Sequence, residues 1–340
     1  MRVAVVGATG AVGRSILELL EQRSFPADEV IPLASVRSAG SELRGLRVRE
    51  LREEELAGVH LALFSAGGSV SGEWAPRFTE AGAIVVDNSS RWRMEPDVPL
   101  VVAEVNPQAL DAHRGIVANP NCTTMQAMLP LKAIHDAVGL ERVILSSYQA
   151  VSGTGLAAVE ELKAQAHAIL HEMEPPAPEV YPHPIAFNVL PQVEHFPEND
   201  PYTTEETKVM NESRKILELP GLRITATCVR VPVVTGHSEA INVETHDDLS
   251  PEACRELLRA APGVVVEDDP GAGRYPLAIN AVGRDEVFVG RIRRDPSNPR
   301  TLNLWVVGDN LRKGAATNTV QLAELLHARG LLDRAPAHAA

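Results

Sequence analysis

Length, composition and charge already exclude several classes of protein. A chain of 340 residues is longer than one hydrophobic core usually organises, so two domains are expected, and 44% hydrophobic with 23% charged residues is typical of a globular protein. The net charge of −13, with no basic block along the chain, argues against a surface that binds nucleic acid or acidic membranes.

The cysteines and the apolar runs indicate the compartment. Cys122, Cys228 and Cys254 are odd in number and have no Cys-x-x-Cys spacing, which suits a reducing cytosol and excludes a simple disulfide scaffold. No apolar run approaches the roughly 18 residues of a membrane span. The short run Val3–Val6 leads into a glycine loop, which is not the pattern of a signal peptide. We therefore expect a cytoplasmic protein without a membrane partner.

The N-terminal stretch predicts a dinucleotide-binding unit. Residues 2–6 form an apolar strand, the motif GATGAVG follows at 7–13, and a helical run extends over 15–20. A strand, a glycine turn and a helix in this order let the backbone approach a pyrophosphate, which rests on the N-terminus of the helix. The spacing is GxxGxxG rather than GxGxxG, so a sterically required turn with no ligand is the alternative.

The end of the second predicted strand, 29–34, indicates which dinucleotide is bound. An NAD site normally has an acidic residue about 20 positions after the glycine motif, where it binds the ribose 2′-hydroxyl. This strand ends instead in Ser35, Arg37 and Ser38, whose donors suit a 2′-phosphate. The sequence therefore favours NADP over NAD, with a solvated loop arginine as the alternative for Arg37.

Further predicted strands end in polar residues, which is where ligands lie in doubly wound sheets. Strands are expected at 59–65 and 83–86, and the second of them leads into the polar run DNSSRWRM at 87–94. Short apolar runs at 101–103 and 115–118 would complete the sheet.

The turn Asn119-Pro120-Asn121 places Cys122 at the start of a helix. The apolar residues after it recur at intervals of three and four, from Met125 to Val138, as on one face of a helix. At the first turn, unpaired backbone N–H groups and the helix dipole favour a thiolate over a thiol. The alternative is a small buried cysteine at a strand–helix junction.

After this helix the pattern becomes mixed, which indicates a second domain. The predicted elements are a strand at 142–150, a turn at 151–155, a helix at 156–173, a helix at 205–217, strands at 225–231 and 238–244, a helix at 250–261, strands at 287–293 and 302–307, a glycine turn at 309–316 and a helix at 317–327. The proline-rich segment 174–201 predicts a long ordered loop that crosses a surface toward another subunit. His167 and His171 lie four apart, but no third ligand is apparent and we expect no metal site. The tail 335–340 is expected to fray.

A series of short motifs carries a resemblance to a known enzyme family. GATGAVG, SVRSAG, DNSSRWRM, NPNCTT, QAVSGTG, EETK, RVPVVTGHSEA and DNLRKGAA occur in this order, and with them the chain resembles aspartate-semialdehyde dehydrogenase over essentially its whole length. The resemblance implies an α/β fold. A Rossmann-type dinucleotide-binding domain would span residues 1–121, with the C-terminal helix 315–340 packing back onto it. A mixed α/β catalytic and dimerisation domain would span residues 122–314.

The resemblance also implies a role for each matching residue. Cys122 matches the nucleophile, His237 the acid/base group, and Gln149 the residue that orients the reacting carbonyl. Arg230 matches the ligand of the substrate carboxylate and Glu205 the partner of its amino group, while the phosphate-anion site is expected at Arg93, Asn121 and Lys208. NADP is expected at Gly7, Thr9, Gly10, Val12, Ser35, Arg37, Ser38, Gly153 and Asn310. From the residues alone, the alternatives are a surface ion pair for Arg230 and Glu205, a solvated loop arginine for Arg93, and a turn histidine capping a strand end for His237.

The implied activity is the reversible, NADP-dependent reductive dephosphorylation of L-aspartyl 4-phosphate to L-aspartate 4-semialdehyde through a thioester on Cys122. It would serve the synthesis of lysine (through diaminopimelate), threonine, methionine and isoleucine, in a homodimer. An N-acetyl-glutamyl-phosphate reductase-like enzyme is an alternative, although that family typically has glycine where this chain has Asn121. A non-catalytic NADP-sensing regulator or a scaffold protein would not need Cys122, Gln149 and His237 together.

Overall fold

A computed structural model describes residues 1–332 of the chain. Within them the chain divides into two compact units. One comprises residues 1–121 together with the chain from residue 315 onward, and the other comprises Cys122–Gly314. The tail predicted to fray, 335–340, and the end of the predicted packing segment 315–340 lie outside the described residues.

Both units contain helices as well as strands. In the first unit they are β1 (Arg2–Val6), α1 (Ala11–Gln22), β2 (Glu29–Ala34), β3 (Glu42–Leu43), β4 (Leu46–Arg47), β5 (Arg49–Glu50), β6 (Leu61–Phe64), α2 (Gly68–Glu80), β7 (Ile84–Asp87) and β8 (Ile116–Ala118). In the second unit they are α3 (Cys122–Val138), β9 (Leu140–Gln149), α4 (Leu156–Leu170), α5 (Thr204–Ile216), β10 (Arg223–Arg230), β11 (His237–Thr245), α6 (Pro251–Ala260), β12 (Val264–Val266), α7 (Ala278–Ala281), β13 (Val287–Arg294) and β14 (Thr301–Gly308). The last helix, α8 (Asn318–Ala328), belongs to the first unit.

The first unit is built on a parallel sheet in the order β5-β2-β1-β6-β7-β8. Its central strands are apolar and buried because helices cover both faces, as parallel sheets require. The glycine turn after β1 is tight: Gly7 has φ +80°, and a Cβ on Gly13 would lie 2.3 Å from the carbonyl oxygen of Gly7. Only glycine fits at these two positions, so α1 begins close against β1.

The second unit is built on a mixed sheet in the order β10-β9-β11-β14-β13-β12. β9 pairs with β10 in parallel and with β11 antiparallel, and β11 pairs antiparallel with β14. The register aligns Arg230 with Gln149 and His237 with Gly308. The ends of β9, β10 and β14 and the start of β11 therefore meet at one edge of the sheet. The two sheets confirm the predicted fold class, a Rossmann-type unit and a mixed α/β unit.

The predicted strand at 101–103 does not form, although Val101 and Val102 are buried. Its backbone groups bond to two asparagine side chains instead of a continuous ladder. Asn106 accepts from the N–H of Val102, and Asn318 on α8 accepts from the N–H of Ala103 and donates to the carbonyl of Val101. Because buried backbone groups must be paired, these side chains replace the missing strand partner.

Other sequence-based bounds differ from the structure in ways that have a physical reason. The predicted glycine turn at 309–316 is largely a π-helical turn, Arg312–Thr317. The predicted helix 156–173 ends at Leu170, and His171 occupies its C-cap. Strand β12 and the short strands β3–β5 were not predicted, since a two- or three-residue strand has too few alternations to recognise. Helix α2 was not predicted either. Within residues 1–332, no helix is long and apolar enough to cross a membrane.

Candidate active site

Cys122 is the first residue of α3, as predicted, and its thiol lies beside an imidazole. The Sγ atom of Cys122 is 3.4 Å from Nε2 of His237. Cys122 is half-buried, whereas Cys228 and Cys254 are fully buried. Burial raises the pKa of Cys254 to about 12, and that of Cys228 higher still. Of the three thiols, only Cys122 combines access with a neighbouring imidazole, so it is not the fully buried cysteine of the alternative interpretation.

His237 is buried and held in one tautomer. Its Nδ1 accepts a hydrogen bond from the backbone N–H of Ala150 at 3.0 Å. A backbone N–H can only donate, so in the neutral ring the proton is on Nε2, the atom that faces the thiol. Burial, and then the positive charge of Arg230, hold the pKa of His237 well below its usual value. The resting site therefore contains a neutral imidazole with an N–H aimed at Cys122.

Gln149 and Glu205 are joined next to the start of α3. Nε2 of Gln149 donates to Oε1 of Glu205 at 3.0 Å, and the Thr123 hydroxyl lies 3.5 Å from the same oxygen. Glu205 is in the first turn of α5, whose start is fixed by a capping box between Thr203 and Glu206. Glu205 is only 3% exposed, so the surface-ion-pair interpretation of this residue is wrong.

Arg230, at the end of β10, is also buried and not part of a surface ion pair. Its Nη1 donates to the carbonyl of Ala150 at 2.7 Å, while its buried Nε has no hydrogen-bond partner. Gly153 packs against it: a Cβ there would lie 3.1 Å from Nη1 of Arg230 and 3.3 Å from Nε2 of His237. A buried guanidinium with an unused donor is suited to bind a carboxylate.

Asn310, predicted to bind NADP, fastens two turns of this site. Its Oδ1 accepts from the N–H of Gly236 at 2.9 Å, and its Nδ2 donates to the Ser152 hydroxyl at 3.0 Å. Gly236 directly precedes His237, and Ser152 directly precedes Gly153. The side chain of Asn310 therefore sets the distance between the turn that carries the imidazole and the turn that carries Gly153.

Lys208 does not pair with Glu205, although the two lie three apart on α5. Its Nζ forms an ion pair with Glu194, which also accepts from the Thr204 hydroxyl at 2.5 Å. Glu194 belongs to the proline-rich loop, and Lys208 keeps about a quarter of its side chain exposed. The second unit thus brings together six of the predicted site residues: Cys122, His237, Gln149, Glu205, Arg230 and Gly153. Lys208 instead pairs with Glu194 of the loop.

In the first unit, Arg93 is buried rather than solvated, so the loop-arginine interpretation is wrong. Its Nε donates to the carbonyl of Asn119 at 3.0 Å and its Nη2 to the carbonyl of Asn88 at 2.7 Å. Asn119 is fixed in turn by side-chain bonds to Asn88 and Asn318. Asn121, the residue before the cysteine, is also buried. The chain leading to Cys122 is therefore held by buried polar side chains.

The dinucleotide loop has the shape that a cofactor phosphate needs. Gly10 is the N-cap of α1, and no acidic side chain lies in the first turn, so the helix N-terminus is open to an anion. Thr9 and Val12 lie on either side of Gly10. β2 ends at Ala34, and beyond it Ser35 and Arg37 are exposed while Ser38 is half-buried. Arg37 makes no ion pair with another described residue, so its guanidinium is available to a 2′-phosphate.

The chain is similar to known proteins over nearly its whole length. The family model described as semialdehyde dehydrogenase, NAD binding domain, matches residues 2–113, and the model described as semialdehyde dehydrogenase, dimerisation domain, matches residues 131–313. Aspartate-semialdehyde dehydrogenase of Aquifex aeolicus (strain VF5) is 53% identical over 338 residues, covering 97% of this chain and 99% of the relative. The chain belongs to the aspartate-semialdehyde dehydrogenase family. The resemblance seen in the motifs is confirmed, and the chain is an enzyme of this family.

Solved structures of this aspartate-semialdehyde dehydrogenase family have the same fold. The crystal structure of aspartate semialdehyde dehydrogenase II from Vibrio cholerae in complex with ASA has a TM-score of 0.92 and 46% identity, covering 96% of this chain and 98% of that one. The structure of the enzyme with NADP from Candida albicans has a TM-score of 0.73 and 25% identity, with 97% and 99% coverage. The fold is therefore shared with relatives that bind these ligands.

Sequence reasoning did not single out a buried acid on the strand that carries His237. Glu239 lies two residues after His237 on β11, hence on the same face of the strand, and neither carboxyl oxygen has a hydrogen-bond partner. Burial raises the pKa of Glu239 well above its usual value, and the Gln126 side chain opposes this effect. Nε2 of Gln126 lies 3.4 Å from the carbonyl oxygen of His237. The alternation of residues along the strand was the signal that could have pointed to Glu239.

No metal centre is found where the sequence offered its one candidate. The imidazole rings of His167 and His171 lie 4.2 Å apart, and Nδ1 of His171 is 2.8 Å from the carbonyl oxygen of His167. Among residues 1–332, no group of three or more histidine, cysteine, aspartate or glutamate side chains is arranged to hold a metal ion.

Proposed function

We propose that this chain catalyses the reversible NADP-dependent reduction of L-aspartyl 4-phosphate to L-aspartate 4-semialdehyde and phosphate, through a thioester on Cys122. Family membership supports the overall reaction. The observation that carries the mechanism is the accessible thiol at the start of α3, 3.4 Å from the Nε2–H of a neutral histidine. A helix N-terminus and an N–H donor both favour a thiolate, which is the nucleophilic form of cysteine.

In the first step the sulfur of Cys122 attacks the acyl carbon of the substrate. A C–S bond forms, the bond from this carbon to the phosphate oxygen breaks, and phosphate leaves with the electron pair. Splitting a difficult reduction into acyl transfer and a second step lowers the barrier of each. We assign the departing phosphate to Arg93, Asn121 and Lys208. Lys208 must then exchange its ion pair with Glu194 for the anion.

In the second step the thioester carbon becomes tetrahedral and its oxygen becomes an anion. NADPH, when bound, supplies the hydride for this reduction. The backbone N–H groups at the start of α3 and the Nε2–H of His237 are the donors that the protein offers to the oxyanion. When the C–S bond breaks, the aldehyde is released and Cys122 regains its thiolate. The sulfur thus enters and leaves as the same species.

His237 acts in this scheme chiefly as a hydrogen-bond donor. The family resemblance implied an acid/base group that takes or returns a proton. However, the bond from Ala150 to Nδ1 leaves the ring neutral with its proton on Nε2. If Nε2 lost its proton, the ring would become an imidazolate. If Nδ1 gained a proton, its N–H would point at the N–H of Ala150, and two donors would face each other. We therefore propose that His237 stabilises the thiolate and the oxyanion through Nε2–H.

Three buried side chains of the second unit are assigned to the substrate. The guanidinium of Arg230 binds the α-carboxylate, and Glu205 binds the α-amino group. Gln149 orients the reacting carbonyl and is itself held by Glu205 and by the Ser147 hydroxyl, 3.1 Å away. Opposite charges on Arg230 and Glu205 match the zwitterionic end of an amino acid. An N-acetylated substrate has no cationic amino group for Glu205, which disfavours the N-acetyl-glutamyl-phosphate alternative.

NADP is assigned to the residues that the family resemblance implies. Gly7, Thr9, Gly10 and Val12 would receive the pyrophosphate at the start of α1, and Ser35, Arg37 and Ser38 the 2′-phosphate. Gly153 and Asn310 remain candidates on the side of the catalytic residues. The absence of an acidic residue after β2 supports NADP over NAD.

We further propose a homodimer in the cytoplasm, serving the synthesis of lysine, threonine, methionine and isoleucine. α3, α5 and α6 cover one face of the mixed sheet, while Tyr148 on the other face is 38% exposed and pairs with Trp305 at 5.4 Å. Other large apolar side chains of this unit are exposed, among them Leu156, Leu170, Phe187, Val189, Phe196 and Ile279. Large apolar side chains exposed in this number favour a protein partner, and a second copy fits the match to a dimerisation domain.

The activity test is phosphate-dependent reduction of NADP by aspartate semialdehyde, followed at the nicotinamide absorbance. We expect turnover with aspartate semialdehyde and none above background with N-acetyl-glutamate semialdehyde. The Cys122→Ala variant is the control for uncatalysed reduction. No turnover by the wild-type chain, together with retained NADP binding, would favour the NADP-sensing regulator instead.

A further inference from the structure

The proline-rich loop, residues 174–201, contacts the substrate-binding arginine at two separate points. Leu190 pairs with the backbone of Arg230 through two hydrogen bonds, 2.9 and 2.8 Å long, so the loop continues the sheet at the end of β10. Tyr181 places its ring near the guanidinium, with Cζ of Arg230 5.9 Å from the ring centroid. This separation lies within the range of about 6 Å in which an aromatic face attracts a cation.

Tyr181 is held in this place by contacts on three sides. Its hydroxyl donates to the Thr154 hydroxyl at 3.0 Å, in the turn that follows Gly153. Glu161 on α4 accepts from the backbone N–H groups of Glu179 and Val180, both at 2.7 Å, and so fastens the loop just before the tyrosine. The ring packs against a buried apolar cluster that comprises Val151, Ala158, Val159, Leu162, Ile185, Ala186 and Leu190. A ring fixed in this way is not a mobile surface side chain.

The guanidinium is therefore confined on several sides and left with one unused buried donor. The carbonyl of Ala150 accepts a hydrogen bond from Nη1, the backbone of Gly153 packs against the guanidinium, and the ring of Tyr181 lies near Cζ. Nε remains buried without a partner. A planar guanidinium whose position is fixed loses little further entropy when it pairs with a carboxylate. An aromatic ring nearby also keeps water away, which strengthens such a pair.

We propose that Tyr181 is a positioning residue for the substrate carboxylate: it acts through Arg230, and with it the proline-rich loop sets the affinity for α-carboxylate substrates. The proposal depends on the assignment of Arg230 as the carboxylate ligand. It predicts that the ring, rather than the hydroxyl, carries most of the effect. It also predicts that Tyr181 contributes to binding and not to the chemical step, because it touches neither Cys122 nor His237.

The test measures substrate binding separately from turnover. In the inactive Cys122→Ala background, calorimetric titration with aspartate semialdehyde should show Kd raised about 2- to 30-fold by Tyr181→Ala, the range of a cation–aromatic contact. Tyr181→Leu keeps apolar bulk without the aromatic face and should show the same direction of change. Tyr181→Phe should stay close to the parent. In enzyme that retains Cys122, Tyr181→Ala should raise KM for aspartate semialdehyde with kcat nearly unchanged.

Tyr202→Ala is the matched control. Tyr202 also bonds a threonine hydroxyl, that of Thr225 at 3.0 Å, but it makes no ring contact with an arginine among the described residues. We expect no change in Kd for this variant. A lowered kcat and a lowered melting temperature at unchanged KM in Tyr181→Ala would overturn the proposal, since a purely structural role gives that pattern. An unchanged Kd for aspartate semialdehyde in Tyr181→Leu would overturn it as well.

A double-mutant cycle with Arg230→Lys separates this inference from the assignment on which it depends. If Tyr181 acts through Arg230, the two changes should be less than additive in Kd. Weakening by Arg230→Lys with no effect of Tyr181→Ala, or strict additivity, would reject the role of Tyr181 and leave that of Arg230 standing. No effect of Arg230→Lys would reject the carboxylate assignment, and the inference with it.

Discussion

Replacing Gly153 by alanine should slow the enzyme because the new methyl group has no room beside Arg230 and His237. The added Cβ would lie 3.1 Å from Nη1 of Arg230, 3.2 Å from Cε1 of His237 and 3.3 Å from its Nε2. Separations this short require the neighbours to move by a few tenths of an ångström. His237 is buried and bonded to Ala150, so its ring can yield only by leaving its position beside Cys122.

The size of the effect follows from that displacement. A misplacement of about 1 Å can cost roughly 100-fold in rate, so a shift of about 0.3–0.7 Å corresponds to about a 4- to 25-fold loss. Displacement of His237 should lower kcat, and displacement of Arg230 should raise KM for aspartate semialdehyde. Backbone strain is not expected, because Gly153 does not require a positive φ.

The assay is steady-state NADP reduction by Gly153→Ala beside Gly221→Ala. Gly221 also has no positive φ, and a Cβ there meets nothing within 4 Å, so it reports what a glycine-to-alanine change does without a clash. Both variants should keep the wild-type melting temperature to within a few degrees. If Gly153→Ala retained the kcat and KM of Gly221→Ala, the close packing around the imidazole would not limit the reaction, and the geometric argument would be refuted.

Four further predictions follow from the proposed roles. Cys122→Ala should abolish turnover with NADP affinity nearly intact, and Cys122→Ser should be nearly as inactive because a hydroxyl is a much poorer nucleophile; full activity of the alanine variant would contradict the thioester. His237→Ala should lower kcat by roughly 10²–10³-fold, as the loss of one oxyanion donor does, with a smaller change in KM, and a change in KM alone would make it a binding residue. Arg37→Ala should weaken NADP binding roughly 10- to 100-fold and spare NAD, measured by quenching of tryptophan fluorescence; equal weakening of both would contradict the 2′-phosphate contact. Glu239→Gln should remove a pH dependence of stability. In the wild type the carboxyl of Glu239 is protonated in both the folded and the unfolded chain below about pH 4.5, and above that pH only the unfolded chain ionises. The free energy of unfolding of the wild type should therefore fall by up to about 1.4 kcal/mol per pH unit until the raised pKa of the folded state is reached. Denaturant unfolding of both proteins at several pH values checks this, and parallel curves would show that Glu239 is ionised in the folded protein.

Local features of the sequence determined the elements that carry the proposed chemistry. The glycine turn after β1 and the position of Cys122 at the first residue of α3 each depend on a few neighbouring residues. Turn residues, helix periodicity and apolar strands act over that range, so they could be recognised without tertiary contacts. The missing acid after β2 is likewise a local observation, and the preference for NADP drawn from it stays a prediction about Arg37.

Long-range pairing decided what the sequence left open. Cys122 and His237 are 115 residues apart, and they meet because the register of β11 brings the start of that strand to the sheet edge where α3 begins. Whether Arg230 and Glu205 were surface or buried groups could not be told from residue type, because a charged side chain is buried only where other elements cover it. The loop that carries Tyr181 was recognisable in the sequence only as proline-rich and polar.

Side-chain partners from distant segments also decide what local spacing and composition do not. Glu205 and Lys208 are three residues apart on α5, which is a spacing that lets two side chains pair, yet Lys208 forms its ion pair with Glu194 of the proline-rich loop. The apolar run 101–103 has the composition of a strand, yet Asn106 and Asn318 bond its backbone and no strand forms there. The composition of a segment indicates whether it can be buried. The hydrogen-bond partner of each polar group depends on which segment folds against it, so only the tertiary structure shows these partners.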